Sequence, residues 1–236
     1  PHGSRQVVFK VQGAWVLPDE EWDGYDSAAG RSELVMLVID FETRSEADLP
    51  EVGAWNYSLH PSTDVLVICY SIDGGPIKDL TTFTECPDDI RQFISGGGSA
   101  CAFNTSFEYS IWKHILHERY GWPMFADGRW RDTAAKCLAS GFPAKLEKAA
   151  VALRLDNLKD GAGKALINFF SIPITSGKLK GQFRQPADHP QRFAEFVAYC
   201  HQDVQVTMDI EAALPDLSPS ELQHWLLTWK MNLRGI

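Results

Sequence analysis

The feature that most restricts how this chain can fold is the run Leu34-Val35-Met36-Leu37-Val38-Ile39, which ends at Asp40. A strand wetted on one face alternates apolar and polar residues. An unbroken apolar run of this length suits a strand buried on both faces, as at the centre of a sheet covered by helices. With 44% apolar and 11% aromatic residues among 236, the chain can bury one such core.

Further strands are expected at residues 65–72, around 77–80, and ending near Phe103 after the turn at Gly96 to Gly98. A short helix is expected after Cys86, and from Ser106 onward the pattern turns mainly helical: residues 106–120, 132–140, 145–153, 164–170, 190–214 and 218–233. Strands first, then interleaved and trailing helices, predict an α/β domain around a small mixed sheet. Ahead of it, residues 6–17 read as a strand or two, and the acidic, glycine-containing residues 18–30 read as a linker. The chain opens on proline, and Met36 stands just before the first strong strand, so residues 1–35 are expected to be an extension, tag or linker of unassigned role.

Composition excludes some functions. No apolar run approaches the ~20 residues needed to cross a bilayer, and no secretory signal is visible, so a soluble, intracellular protein is expected. The five cysteines are scattered without a Cys-x-x-Cys pair, which predicts reduced, buried thiols rather than a zinc centre. His114, His117, His189, His201 and His224 show no spacing that converges with cysteines or acids. A net charge of −9 argues against a protein that coats nucleic acid, since that affinity comes from Lys and Arg on phosphates. It does not argue against an enzyme that grips a few nucleotides, because carboxylates gathered around divalent cations add negative charge to the bare chain. Residues 159–184 run against the average, with Lys159, Lys164, Lys178, Lys180 and Arg184 against the acid Asp160. Phe169, Phe170 and Phe183 are interleaved, so the stretch reads as a solvated loop with core phenylalanines or as a strand-guiding edge, the former slightly preferred.

Three acidic motifs carry the chemistry. In Asp40-Phe41-Glu42, strand alternation turns both carboxylates to one face, where they can share a divalent ion, and Phe41 to the other. In Asn104-Thr105-Ser106-Phe107-Glu108, a strand hands over to a helix that Thr105 or Ser106 can cap, with Glu108 in its first turn. In Tyr199-Cys200-His201-Gln202-Asp203, the phenol and the carboxylate share one helical face at i and i+4, and His201 lies on another. Taken singly, each has an ordinary reading: a polar turn, a helix cap, a core aromatic beside a solvated acid.

Taken in order, they resemble the Exo I, Exo II and Exo III motifs of the DEDD exonucleases, which have a ribonuclease H-like fold. Tyr199 four residues before Asp203 resembles the tyrosine-bearing (DEDDy) branch, which serves as the proofreading domain of family A and family B DNA polymerases. The resemblance runs from about Met36 to the C-terminus and is strongest toward bacteriophage family A polymerases. It rests on IDFETRS, FNTSFEYSIW, RDTAAKCLASGFPAKLEKAA and YCHQDVQVT, while ELQHWLLTWKMNLRGI is similar to the helix that opens their polymerase region. Asp132-Thr133 resembles a helix-capping pair beside the site in this family. One departure is Glu108, one methylene longer than the aspartate that commonly closes the second motif. It is expected to bear on metal affinity and on the choice between Mg²⁺ and Mn²⁺.

The resemblance implies a 3′→5′ exonuclease domain over residues 36–215 and the opening of a polymerase region over 216–236, with palm, fingers and thumb absent and no DNA synthesis expected. It implies two Mg²⁺ or Mn²⁺ ions about 4 Å apart, held by Asp40, Glu42, Glu108 and Asp203. Asp40 bridges them, Glu42 and Asp203 complete the ion that binds the nucleophile, Glu108 serves the second, and Tyr199 orients the attacking water. Thr43, Asn104 and Phe107 are the expected substrate contacts. The expected partners are a single-stranded DNA 3′ end and the polymerase region of the same full-length chain, in a monomer working in the cytoplasm, that of a bacterial host if phage-encoded. Two rival readings remain at this stage: a catalytically weak or inactive scaffold domain of a polymerase, and a stand-alone 3′→5′ exoribonuclease.

Overall fold

A computed structural model describes residues 9–11, 14–16, 35–155 and 163–235. The chain divides into two compact units, Pro1–Glu33 and Leu34–Ile236. In the first, β1 (Phe9–Val11) pairs antiparallel with β2 (Ala14–Val16), within the stretch where a strand or two is expected. The linker expected over 18–30 lies outside the described residues, as do Lys159 and Asp160 of the basic stretch.

The second unit is an α/β domain on a five-stranded mixed sheet flanked by helices, compatible with a ribonuclease H-like fold. Its strands are β3 (Met36–Arg44), β4 (Asp64–Ile72), β5 (Lys78–Leu80), β6 (Ser99–Ala102) and β7 (Trp130–Asp132), in the order β5-β4-β3-β6-β7. The middle strand takes up the apolar run from Met36 onward, with Leu37, Val38 and Ile39 buried, while Val35 just before it is exposed. β3 is antiparallel to β4 and parallel to β6, and β6 is parallel to β7. Leu37, Ile39 and Phe41 face one core, while Val38 faces a second beneath the 24-residue helix α7 (Pro190–Ala213). Phe41 thus turns away from its acidic neighbours and lies 6.5 Å from the ring of Trp112. Trp112 is fully buried between Trp122 and Phe125, at 5.5 and 5.0 Å. Each such aromatic pair adds roughly 0.5–1.5 kcal/mol beyond area burial.

The remaining helices are α1 (Leu49–Leu59), α2 (Asp88–Ser95), α3 (Ser106–Ile111), α4 (Thr133–Ala139), α5 (Leu146–Ala152), α6 (Gly163–Phe170) and α8 (Pro219–Arg234). Most lie within a residue or two of their expected places. The helix expected over 106–120 instead widens into a π-helix at Trp112–His117, with Glu118 N–H donating to the Lys113 carbonyl. Trp112, His114, Ile115 and Leu116 are all buried there. Helix α8 starts on a capping box between Ser218 and Glu221 and buries Leu222, Leu226 and Trp229 in the same core as Leu37. No helix among the described residues is long and apolar enough to cross a membrane.

Candidate active site

β6 accompanies β3 only over Met36 to Val38, so the last residues of β3 run on beyond its parallel neighbour. The chain leaves β6 through Asn104, whose φ of 68° is left-handed, a conformation asparagine tolerates better than most residues. It then enters α3. The C-terminal ends of two parallel strands and the start of a helix therefore meet, the usual place for a ligand site in such sheets.

Asp40 and Glu42 project from this end of β3 toward α7. Asp40 is half-buried and Glu42 only 6% exposed. The register with β4 shifts immediately after Glu42, between it and Thr43, so the irregularity follows the acidic pair and leaves its alternation intact. From α7, the Cys200 thiol donates to Asp40 Oδ2 at 3.4 Å and to the Asp40 carbonyl at 3.6 Å. Ligating atoms of Asp40, Glu42 and Cys200 all lie within 4.8 Å of one another, close enough to hold one cation.

Glu108 completes the picture from the first turn of α3. It is 4% exposed, and its Oε2 has no hydrogen-bond partner among the described residues. Burial first, then repulsion from Asp40 and to a lesser degree from Asp132 and Asp203, holds its carboxyl well above the usual carboxylate range. Asp203, on α7, is 6% exposed. Glu108 on α3 thus feels the charges of Asp40 on β3 and Asp203 on α7. Such an all-carboxylate set suits hard divalent cations.

The other expected residues fall into distinct places. Tyr199, one turn before Asp203, is half-buried. Asn104 is exposed at the rim, and its backbone N–H donates to Asp132 Oδ1 at 2.9 Å. Beside it opens a groove of about 540 Å³ lined by Phe103, Leu138, Lys145 and Trp225 among others. Thr43 is buried and its hydroxyl is 2.9 Å from the Tyr57 hydroxyl, while Phe107 packs against the Tyr57 ring at 6.0 Å. Asp132 caps α4 by accepting from Ala134 N–H at 2.9 Å. Thr105 occupies the cap position of α3, but its hydroxyl donates to the carbonyls of Ala102 and Arg131 and so ties the helix start to β7 rather than capping it. His201 Nε2 meets Asp79 Oδ1 at 3.0 Å, on a different face of α7 from the acidic site. In the basic stretch, Phe170 is fully buried, Lys164, Lys178 and Lys180 are exposed, and Arg184 lies 4.5 Å over the Phe169 ring.

Sequence reasoning missed two groups. All five cysteines are free and buried as expected, yet Cys200 touches the site, a contact between residues 160 apart. Tyr57 lies on the unexpected helix α1, and burial, with a smaller effect of Glu42, raises its pKa against the lowering hydrogen bond to Thr43. Neither had a spacing signal.

No protein-family model matches the chain. A DNA polymerase of Bacillus phage SP02 is 34% identical to it over 208 residues, which are 85% of this chain and 31% of that protein. The chain therefore spans less than a third of the length of that relative.

Proposed function

We propose that this chain is a metal-dependent 3′→5′ exonuclease that hydrolyses the terminal phosphodiester of DNA and releases nucleoside 5′-monophosphates, as the proofreading part of a DNA polymerase. The observation that carries this reading is that Asp40 and Glu42 stand together on β3, while the buried Glu108 of α3 is repelled by Asp40 and by Asp203 of α7 and keeps one oxygen without a hydrogen-bond partner among the described residues. Mutual repulsion and desolvation both work against bringing carboxylates together, and a bound divalent cation offsets both. The similarity to a phage DNA polymerase supports the polymerase association.

The four carboxylates would hold two Mg²⁺ or Mn²⁺ ions. When bound, such ions offset the phosphate charge and make a water molecule a better nucleophile at neutral pH. The chain's own residues then have separable tasks. Asp40, Glu42, Glu108 and Asp203 present the negative charge that recruits the cations. Tyr199 orients the attacking water through its hydroxyl; an unperturbed phenol, with a pKa of about 10, is a poor base at neutral pH. The exposed Asn104 contacts the strand, and Phe103, Trp225 and Lys145 in the adjoining groove offer aromatic faces and a cation to it. Thr43 and Phe107, engaged with Tyr57, support the end of β3 from beneath.

Incubating the protein with end-labelled single-stranded DNA or RNA, with Mg²⁺, Mn²⁺ or EDTA, tests the reading. Stepwise shortening of DNA from its 3′ end that EDTA abolishes is the expected result. Preference for RNA would make it an exoribonuclease, and binding without cleavage would make it a scaffold.

A further inference from the structure

Gly163 opens α6 and is buried. Its φ lies outside the left-handed region, so no turn demands glycine there. At a helical position alanine is normally the better residue. What excludes a larger residue is space: a Cβ at 163 would stand 1.9 Å from Tyr199 Cε2, 2.4 Å from Cδ2 and 2.5 Å from Cζ, the carbon that bears the hydroxyl. The backbone of α6 is thus pressed against one edge of the tyrosine ring.

The backbone is anchored on both sides of this contact. On the face that Gly163 begins, Leu166 and Phe170 follow at i+3 and i+7, and both are buried against α7. The Phe170 ring stacks on Phe196 at 5.4 Å and meets Phe193 edge-on at 5.5 Å. Just past the helix, the Ser171 carbonyl accepts from Ser45 N–H at 3.1 Å, which ties the end of α6 to the residue after β3. On the other side, Tyr199 is followed by Cys200, which is buried and bonded to Asp40.

We infer that Gly163 is a positioning residue for Tyr199: its bare Cα lets the start of α6 act as a stop for the ring, and so sets where the hydroxyl sits relative to the carboxylates. The inference rests on the proposed role of Tyr199 in orienting the attacking water. Gly163 touches neither substrate nor cation, and acts only through the ring.

The test compares the full chain with Gly163→Ala, Tyr199→Phe, the double variant and Ala165→Gly. The last changes an exposed residue of the same helix and controls for a general weakening of α6. Each protein, checked for folding by circular dichroism, is labelled with 3-fluorotyrosine, and loss of one of the six tyrosine ¹⁹F signals in Tyr199→Phe assigns residue 199. In Gly163→Ala the Tyr199 signal should shift most. Single-turnover DNA cleavage in Mg²⁺ should fall by roughly 10- to 1,000-fold, the range for one displaced catalytic hydrogen bond. DNA affinity should stay within about twofold. The double variant should be no slower than Tyr199→Phe beyond about threefold, since the second change removes what the first displaces, and Ala165→Gly should keep the parental rate.

An unmoved Tyr199 signal, losses that multiply in the double variant, or an equal loss in Ala165→Gly would each overturn the inference. A shifted signal with parental cleavage, beside a slow Tyr199→Phe, would also refute it and leave the nuclease reading intact. If Tyr199→Phe cuts like the parent, the tyrosine has no such role and the inference falls with it, whereas Asp40→Ala tests the carboxylate site separately.

Discussion

The Cys200 thiol donates to Asp40 Oδ2 at 3.4 Å, and this contact joins the helix that carries Tyr199 and Asp203 to the strand that carries Asp40 and Glu42. The two halves of the candidate site are therefore held in register by a neutral group that brings no charge of its own.

That neutrality sets the size of the effect expected on removing it. A hydrogen bond contributes about 0.5–1.5 kcal/mol net and more when its acceptor is a carboxylate, but a thiol is a weak donor, which keeps this one within that range. Cys200→Val, which keeps the apolar volume and deletes the donor, should slow single-turnover cleavage by less than tenfold, whereas Cys200→Asp should abolish folding or activity by adding a buried charge beside Asp40. Thermal melts and cleavage rates of the two variants check this; a parental Cys200→Asp protein would mean that the thiol is not in the site.

The buried Glu108 predicts an unusual pH dependence. Its folded-state pKa is raised above the ordinary 4.5 by burial and by Asp40. Its contribution to stability is fully present below that ordinary value and is lost as pH rises through the raised one, because only the unfolded chain ionises it freely. Without metal, the melting temperature should fall as pH climbs from about 4.5 through neutrality. Glu108→Gln should flatten the fall, and millimolar Mg²⁺ or Mn²⁺ should flatten it in the parent, since cations bind the ionised folded form. Melts across pH with and without metal measure both. A profile unaffected by either change would remove Glu108 from the charged cluster.

Lys136 predicts where the fold away from the site is most brittle. Its side chain is 7% exposed and its ammonium bonds Glu211 at 2.8 Å and Asp216 at 2.9 Å, so α4 is fastened to the end of α7. Burial alone would lower its pKa, but Glu211 and Asp216 more than offset this and raise it. Lys136→Met strands the mostly buried Glu211 carboxylate and should destabilise by about 3–5 kcal/mol. Adding Glu211→Leu should recover part of that, in urea unfolding monitored by circular dichroism. A single variant within about 0.5 kcal/mol of the parent would show that the ion cluster is solvated.

Much of this molecule was legible before its structure, for identifiable reasons. The apolar run pointed to a doubly buried strand, which holds from Met36 onward, and alternation placed Asp40 and Glu42 together, because both rules are local. Helix α1 was not legible: Pro50 at its start and Gly53, with φ of 75° inside it, break the periodicity, and its register depends on tertiary contacts such as Tyr57 with Thr43. Strand β7 has three residues and exists because β6 offers it an edge. Asp40, Glu42, Glu108, Tyr199 and Asp203 could be named because their motifs, taken in order, resemble those of the DEDD exonucleases, but the burial of Glu108, the touch of Cys200 on Asp40 and the fit of Gly163 against Tyr199 depend on distant segments that no local pattern encodes.

The central claim is that the carboxylates form one metal-dependent hydrolytic site, and the order of severity among substitutions tests it most directly. The measurement is single-turnover shortening of a 5′-labelled single-stranded DNA in Mg²⁺, with each variant shown to be folded by circular dichroism. Asp40→Ala should abolish cleavage, with Asp203→Ala close behind, because each removes a ligand. Tyr199→Phe should lose roughly 10- to 1,000-fold, for one positioned hydrogen bond. Glu108→Asp should remain active. A folded Asp40→Ala protein that shortens the DNA as fast as the parent would contradict the account.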